Sequence, residues 1–89
     1  MPAYLARIDV MLKPLVNDPQ GLAVRDGLRE LGFMGVQSVR VGKHIEVTLE
    51  APGSAQAETE VDSMCRKLLA NGVIESFAFA LDEAVPAEA

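Results

Sequence analysis

The chain has 89 residues, enough for one domain that buries about 60% of the surface exposed by its unfolded chain. Because 49% of the residues are hydrophobic and only 4% are aromatic, the core must be aliphatic, with apolar surface left for a partner. A net charge of −5 argues against binding to a nucleic-acid backbone, and a single cysteine, Cys65, excludes an intrachain disulfide. With no recognisable signal peptide and no apolar run long enough to cross a membrane, we expect a cytoplasmic protein that does not bind membranes.

The first predicted elements are a strand and a helix. Apolar residues alternate with other residues from Tyr4 to Lys13, which is typical of a half-buried strand. Asp18 followed by Pro19 is typical of a helix N-cap and the first helical position. Apolar spacings of three and four continue to Leu31, and Gly32 follows as a left-handed stop. We therefore predict a strand over 4–13 and a helix that ends at Leu31.

The stretch from Val36 to Glu50 predicts a β-hairpin, because apolar and polar residues alternate on both sides of a glycine. A tight two-residue turn would place the apolar side chains of the two strands on opposite faces. A three-residue loop at 42–44, or a bulge, restores the match between them. Lys43 and His44 would then lie at the tip of the hairpin.

The second half of the chain predicts a helix and a last strand. The helix starts at Ser54, or at Thr59 if the later capping signal is used, and it ends at Asn71-Gly72. Alternation from Val73 to Asp82 predicts the strand. Residues 83–89 are expected to form a frayed tail.

The order β-α-β-β-α-β predicts an α+β protein, a single ferredoxin-like domain over residues 1–82. Its four-stranded antiparallel sheet would carry two helices on one face. Five apolar residues would lie on the other face with nothing of this chain to cover them, and a patch of that kind usually marks an interface. We therefore predict a homo-oligomer built on that face or on the hairpin. The five residues are Leu5, Met11, Ile74, Ala78 and Ala80.

Few residues are candidates for catalysis or for metal binding. His44 is the one histidine, and Cys65 falls on the apolar stripe of the second helix, so neither belongs to a recognisable nucleophile–base grouping. Asp18 reads better as a helix cap than as part of an anion site, because it already places a negative charge at the helix N-terminus. We predict no catalytic residue and no metal site.

Several functions of ferredoxin-like domains are disfavoured by what the sequence lacks. A metal chaperone needs paired cysteines, an RNA-recognition motif needs exposed aromatic residues on its central strands, and an acylphosphatase needs an arginine in the loop after the first strand. A binding module remains. It is either an accessory subunit or an ACT-like regulatory dimer that senses a small molecule.

Three segments occur in an order that covers Tyr4 to Leu81: Asn17–Gly21, Val36–Glu46 and Met64–Glu75. Together they resemble the PurS family, the small subunits of phosphoribosylformylglycinamidine synthase. The resemblance implies an enzyme subunit that has no active site of its own. It also implies that the chain binds no cofactor by itself, and that the complex uses ATP and magnesium.

The resemblance further implies the partners and the reaction. In the family, a PurL-type synthetase subunit binds ATP, magnesium and formylglycinamide ribonucleotide, and a PurQ-type glutaminase subunit releases ammonia from glutamine. This chain would form a homodimer or a higher oligomer, bridge the two subunits and support ammonia transfer. The complex would convert the substrate amide to an amidine with ATP hydrolysis, in de novo purine biosynthesis.

We expect docking to these partners to use polar residues of the family-like segments at predicted turns and strand edges, where folding alone demands little. For Asn71 the alternative is an ordinary helix stop, and Arg40 is also explained as a strand residue that faces water. The predicted docking residues are Asp18, Gln20, Arg40, Lys43, His44 and Asn71.

Overall fold

The computed structural model describes residues 1–84. Three strands, β1 (Ala3–Leu12), β2 (Gly42–Glu50) and β3 (Glu75–Glu83), form one sheet. The helices are α1 (Pro19–Glu30) and α2 (Ser54–Met64), and a π-helical turn over Cys65–Leu69 continues α2. The predicted tail starts one residue too early, since Glu83 still belongs to β3, and residues 85–89 lie outside the described part of the chain. None of the helices within residues 1–84 is long and apolar enough to cross a membrane.

β1 is the central strand of the antiparallel sheet, whose order is β2-β1-β3. Alternate side chains of β1 face α2 and form the core. Among them Ile8 is fully buried and lies opposite Ile45 of β2 and Phe79 of β3. α2 closes this face with Val61, and the π-helical turn adds Cys65, both of them fully buried. The core is therefore a single layer of mainly aliphatic side chains between the sheet and one helix.

The prediction of a fourth strand and of a hairpin is wrong. Within residues 1–84 the sheet has three strands, and the stretch 37–41 is not one of them. β2 pairs with β1 along its whole length, from Gly42 opposite Met11 to Glu50 opposite Ala3. The residues before β2 lie instead against the start of α1. Lys43 and His44 are therefore strand residues and not the tip of a hairpin.

α1 does not cover the sheet, which corrects the prediction of two helices on one face. Only Gly21 is buried within α1, while Leu22 and Val24 are 43% and 44% exposed. The molecule measures 51 × 32 × 16 Å, and its radius of gyration is 17.0 Å. A compact domain of this length would have a radius of gyration of about 12 Å. The predicted stop is confirmed, because Gly32 has a φ of 102°.

The sheet face that points away from α2 is not a continuous apolar patch. Leu5, Met11, Ala78 and Ala80 do lie on it, but Ile74 precedes β3. Charged side chains separate the apolar ones, because Arg7 pairs with Asp82 and a histidine lies between two carboxylates in the middle of this face. We call this surface the uncovered face.

Candidate functional site

Five of the six predicted docking residues lie at one end of the sheet, where β1 ends and β2 and β3 begin. His44 is the sixth and lies on the uncovered face. The structure adds one acidic residue to the five, and we call this group the strand-end cluster. Its members are Asp18, Gln20, Arg40, Lys43, Asn71 and Glu75.

Asp18 accepts two backbone hydrogen bonds. Its Oδ1 accepts from the amide of Gly21 at 2.9 Å, which is the predicted helix cap. Its Oδ2 accepts from the amide of Val41, also at 2.9 Å, which holds the segment before β2 against α1. The amides of Val41 and Gly21, together with the charge of Arg40, hold the pKa of the Asp18 carboxyl below its ordinary value.

At Gly21 that segment lies close against α1. A Cβ atom on Gly21 would lie 2.3 Å from the carbonyl oxygen of Val39 and 2.8 Å from Oδ2 of Asp18. Both distances are too short for any side chain. The segment can therefore lie against α1 only because this position is glycine.

Arg40, Lys43 and Glu75 connect the strands at this end of the sheet. The guanidinium of Arg40 donates to the carbonyl oxygen of Leu12, the last residue of β1. Nζ of Lys43, on β2, lies 3.6 Å from Oε2 of Glu75, the first residue of β3. The Glu75 side chain is only 16% exposed, whereas that of Lys43 is 56% exposed. Lys43 is thus the more accessible partner of this ion pair.

Asn71 shapes the loop that leads into β3. Its Oδ1 accepts from the amide of Val73 at 3.0 Å, and its own amide donates to Oε1 of Glu75 at 2.7 Å. Nζ of Lys13 donates to the carbonyl oxygen of Gly72 in the same loop at 2.9 Å. These contacts give Asn71 a structural role beside any docking role.

Gln20 lies at a small cavity of about 170 Å³ within the strand-end cluster. Val10 and Leu12 of β1 line this cavity together with Lys43 and Glu75. Gln20 itself is exposed on the first turn of α1. Among the cluster residues, its side chain is the one for which the structure records neither a hydrogen bond nor an ion pair with another described residue.

His44 lies between two carboxylates on the uncovered face, and we call these three residues the His44 triad. Its Nδ1 is 2.7 Å from Oδ1 of Asp9, its register partner on β1, and its Nε2 is 3.0 Å from Oε2 of Glu46. The hydrogen bonds to Asp9 and Glu46 raise the pKa of His44 above its ordinary value. The His44 side chain is 51% exposed.

The predicted burial of Cys65 is confirmed. Its thiol has no exposure, and burial raises its pKa, which opposes a role as a nucleophile.

A cavity of about 550 Å³ opens beside Cys65, between the π-helical turn and β3. There the guanidinium of Arg66 donates to Asp62 at 2.7 Å and lies 5.5 Å from the ring centre of Phe77. Within residues 1–84, no group of three or more histidine, cysteine or carboxylate side chains is arranged to hold a metal ion.

Glu75 is the residue that the sequence reasoning missed. It is the last residue of the third family-like segment, and it accepts the amide of Asn71 and pairs with Lys43. The sequence carried one signal, namely an acidic residue at the start of a predicted apolar strand. That signal did not indicate which loop or which lysine Glu75 would meet.

The fold and the cluster define a class: a small α+β protein whose polar groups fix loops at one end of a sheet, as in an interaction module. The family model described as PurS, phosphoribosylformylglycinamidine (FGAM) synthase, matches residues 5–83. The chain therefore belongs to the PurS family, and the resemblance seen in its sequence is confirmed.

Individual relatives agree with this assignment. The phosphoribosylformylglycinamidine synthase subunit PurS of Synechocystis sp. is 54% identical over 77 residues, which cover 86% of this chain and 77% of the relative. The subunit of the same name from Bacillus subtilis is 42% identical over 82 residues, covering 92% and 96%. A solved structure described as PurLQS from Thermotoga maritima matches with a TM-score of 0.85 and 33% identity, over 92% of this chain and 100% of that chain.

Proposed function

We propose that the chain is the accessory PurS subunit of glutamine-dependent phosphoribosylformylglycinamidine synthase, in de novo purine biosynthesis. It bridges a PurL-type synthetase and a PurQ-type glutaminase and supports ammonia transfer between them. The complex converts formylglycinamide ribonucleotide to its amidine with ATP. The observation that carries this proposal is the match, over 92% of the chain, to a structure described as PurLQS.

The chemistry of the chain supports a subunit without its own active site. Cys65 is buried, and both ring nitrogens of His44 face carboxylates, so neither is free to act as nucleophile or general base on a substrate. ATP and magnesium belong to the synthetase subunit in this account. The complex would work in the cytoplasm.

The strand-end cluster is the proposed docking surface. It places the exposed side chains of Gln20, Arg40, Lys43 and Asn71 at one end of the sheet. Arg40 and Lys43 carry positive charges there, and Asp18 and Glu75 carry the negative charges beside them. Nζ of Lys43 lies 3.6 Å from Glu75, beyond hydrogen-bond distance, and the Lys43 side chain is 56% exposed, so Lys43 is accessible to a partner.

α1 supports the proposal that the chain forms a homodimer or a higher oligomer. Helices of this length depend on packing of an apolar face, yet Leu22, Val24 and Leu31 of the α1 region are 43%, 44% and 76% exposed. The chain just beyond the helix exposes Phe33 and Met34 as well, at 58% and 68%. Covering this surface with a second copy would supply the packing that the helix lacks within its own chain.

The proposal is tested by mixing the purified chain with PurL-type and PurQ-type subunits of its host, in the presence of ADP and glutamine. We expect the three proteins to elute together in size-exclusion chromatography. Elution of the chain separate from both subunits, with a thermal shift in the presence of free amino acids, would instead support the ACT-like sensor.

A further inference from the structure

The His44 triad joins two strands on the uncovered face. Asp9 belongs to β1, whereas His44 and Glu46 belong to β2, and Asp9 and His44 are register partners. Nδ1 of His44 is 2.7 Å from the Asp9 carboxylate, and Nε2 is 3.0 Å from the Glu46 carboxylate. Both distances are within the range of a hydrogen bond.

Protonation of the ring lets both of these hydrogen bonds form at once. A neutral imidazole has one N–H donor and one nitrogen lone pair, and an ionised carboxylate only accepts hydrogen bonds. A neutral His44 would therefore direct a lone pair at Asp9 or at Glu46. With both carboxylates ionised, the imidazolium ion donates to both, so the arrangement favours the protonated ring.

The other charged groups around the triad do not offset its charge. On β1, Arg7 lies opposite Glu46, but Arg7 is paired with Asp82 of β3. The β3 residues opposite Asp9 and Arg7 are Ala78 and Ala80, which carry no charge. The triad therefore has a net charge of −1 when His44 is protonated and −2 when it is neutral.

We propose that His44 is a proton-dependent link between β1 and β2, closed when the ring is protonated and open when it is neutral, and that it makes assembly of the complex pH-dependent. The effect on assembly rests on the proposed function and on the docking role that the family-like segment 36–46 predicts for His44. The hydrogen bonds that raise the pKa of His44 keep the link closed at and below the ordinary pKa of 6.5, and it opens as the pH rises through the raised value.

Opening the link changes what a partner meets on this face. Below the raised pKa, both carboxylates are hydrogen-bonded to one cation, so covering the triad buries a net charge of −1. Above it, Asp9 and Glu46 lose that cation, and covering unpaired carboxylates is costly. Association should therefore weaken as the pH rises.

The link itself is tested by NMR on the full chain with ¹⁵N-labelled histidine. Since His44 is the one histidine, a single ring reports the titration. We expect a titration midpoint above the ordinary value of 6.5, with both nitrogens protonated in most molecules at that pH. Asp9→Asn and Glu46→Gln should each lower the midpoint, Asp9→Asn by more because its bond is shorter. A midpoint at or below the ordinary value, unchanged by either substitution, would overturn the proposal.

The effect on assembly is tested by titrating the synthetase and glutaminase subunits with the chain between about pH 6 and pH 9. His44→Gln is the reference, because glutamine keeps a polar group there but does not titrate. We expect the affinity of the wild-type chain to fall at least about threefold more than that of His44→Gln over this range. Identical pH profiles would overturn the regulation and leave the proposed function standing. Failure of the wild-type chain to assemble at every pH would overturn the proposed function, and the NMR titration would still decide the proton link.

Discussion

Oδ2 of Asp18 accepts a hydrogen bond from the backbone amide of Val41, 23 residues further along the chain, at 2.9 Å. Its other oxygen accepts from Gly21 and caps α1. One side chain therefore begins the helix and also fixes the segment that leads into β2. Because Asp18 holds that segment against α1, it does not pair with β2 as the first strand of the predicted hairpin.

Asp18→Asn should separate these two roles. Asparagine is about as good a helix cap as aspartate, so its amide oxygen can keep the bond to Gly21. Its amide nitrogen cannot accept from Val41, so we expect a lower unfolding midpoint and faster hydrogen exchange at the Val41 amide. Asp18→Ala should lower the midpoint further, because the cap is lost as well. Equal midpoints for the asparagine variant and the wild-type chain would contradict this role of Val41.

The Asp18 carboxylate should make the wild-type chain more stable than Asp18→Asn at neutral pH, and this difference in stability should shrink in acid. The pKa of Asp18 is lower in the folded chain than its ordinary value of 3.8. Its contribution to stability is therefore fully present above that value and is lost as the pH falls through the lowered pKa. Thermal unfolding of both proteins as a function of pH measures this, and the two curves should converge in strong acid.

Gly21→Ala and Gly27→Ala form a matched pair within α1. The added Cβ at Gly21 would lie 2.3 Å from the Val39 carbonyl oxygen, so the segment before β2 must move and stability should fall. At Gly27 nothing lies within 4 Å of the added atom, and alanine should stabilise the helix by about 0.5–1 kcal/mol. Chemical denaturation measures both changes. Stabilisation by Gly21→Ala would show that the segment does not lie against the helix in solution.

The losses of stability caused by Ile8→Ala and by Leu28→Ala compare the packing of the core with the packing of α1. Ile8 is fully buried in the middle of the sheet, so its truncation should cost about 2–5 kcal/mol. The same range would apply to Leu28 if α1 covered the sheet, but Leu28 is only half-buried. We expect Leu28→Ala to cost less than Ile8→Ala in dilute solution. Its cost should rise with protein concentration if a second copy covers α1, and denaturation at several concentrations measures this.

Gln20 and Gln56 provide a matched test of the docking surface. Both are exposed glutamines in the first turn of a helix, but Gln20 lies in the strand-end cluster. Gln56 lies in α2 and donates to Glu60 of the same helix. We expect Gln20→Ala to weaken binding to the synthetase and glutaminase subunits, and Gln56→Ala to leave it unchanged. Equal binding by both variants in a pull-down titration would remove Gln20 from the docking surface.

Local signals in the sequence predicted much of the fold. The cap at Asp18, the stop at Gly32 and the start of α2 at Ser54 are confirmed, because each depends on residues within one or two turns of chain. The strand over 4–13 is confirmed to within one residue at each end, as β1 over Ala3–Leu12. The alternation of polar and apolar residues shows which residues of a strand share its buried face, and this alternation can be read from the sequence.

The errors arose where a distant contact overrides a local pattern. Alternation over 36–41 is compatible with a strand, but the Asp18 carboxylate binds the amide of Val41 and Gly21 accommodates the Val39 carbonyl. The spacing of apolar residues in α1 shows that the helix has an apolar face, but not which surface covers it. His44 lies on the uncovered face because β2 pairs with β1. The residues near His44 in the sequence do not determine that pairing.

The central claim is that the chain supports use of glutamine by the synthetase. The most direct measurement adds increasing amounts of the chain to fixed amounts of the synthetase and glutaminase subunits, and follows formation of the amidine with either glutamine or free ammonia as nitrogen source. We predict that the glutamine-dependent rate rises with the chain until the complex is saturated, while the ammonia-dependent rate stays constant. A full glutamine-dependent rate in the absence of the chain would contradict the account.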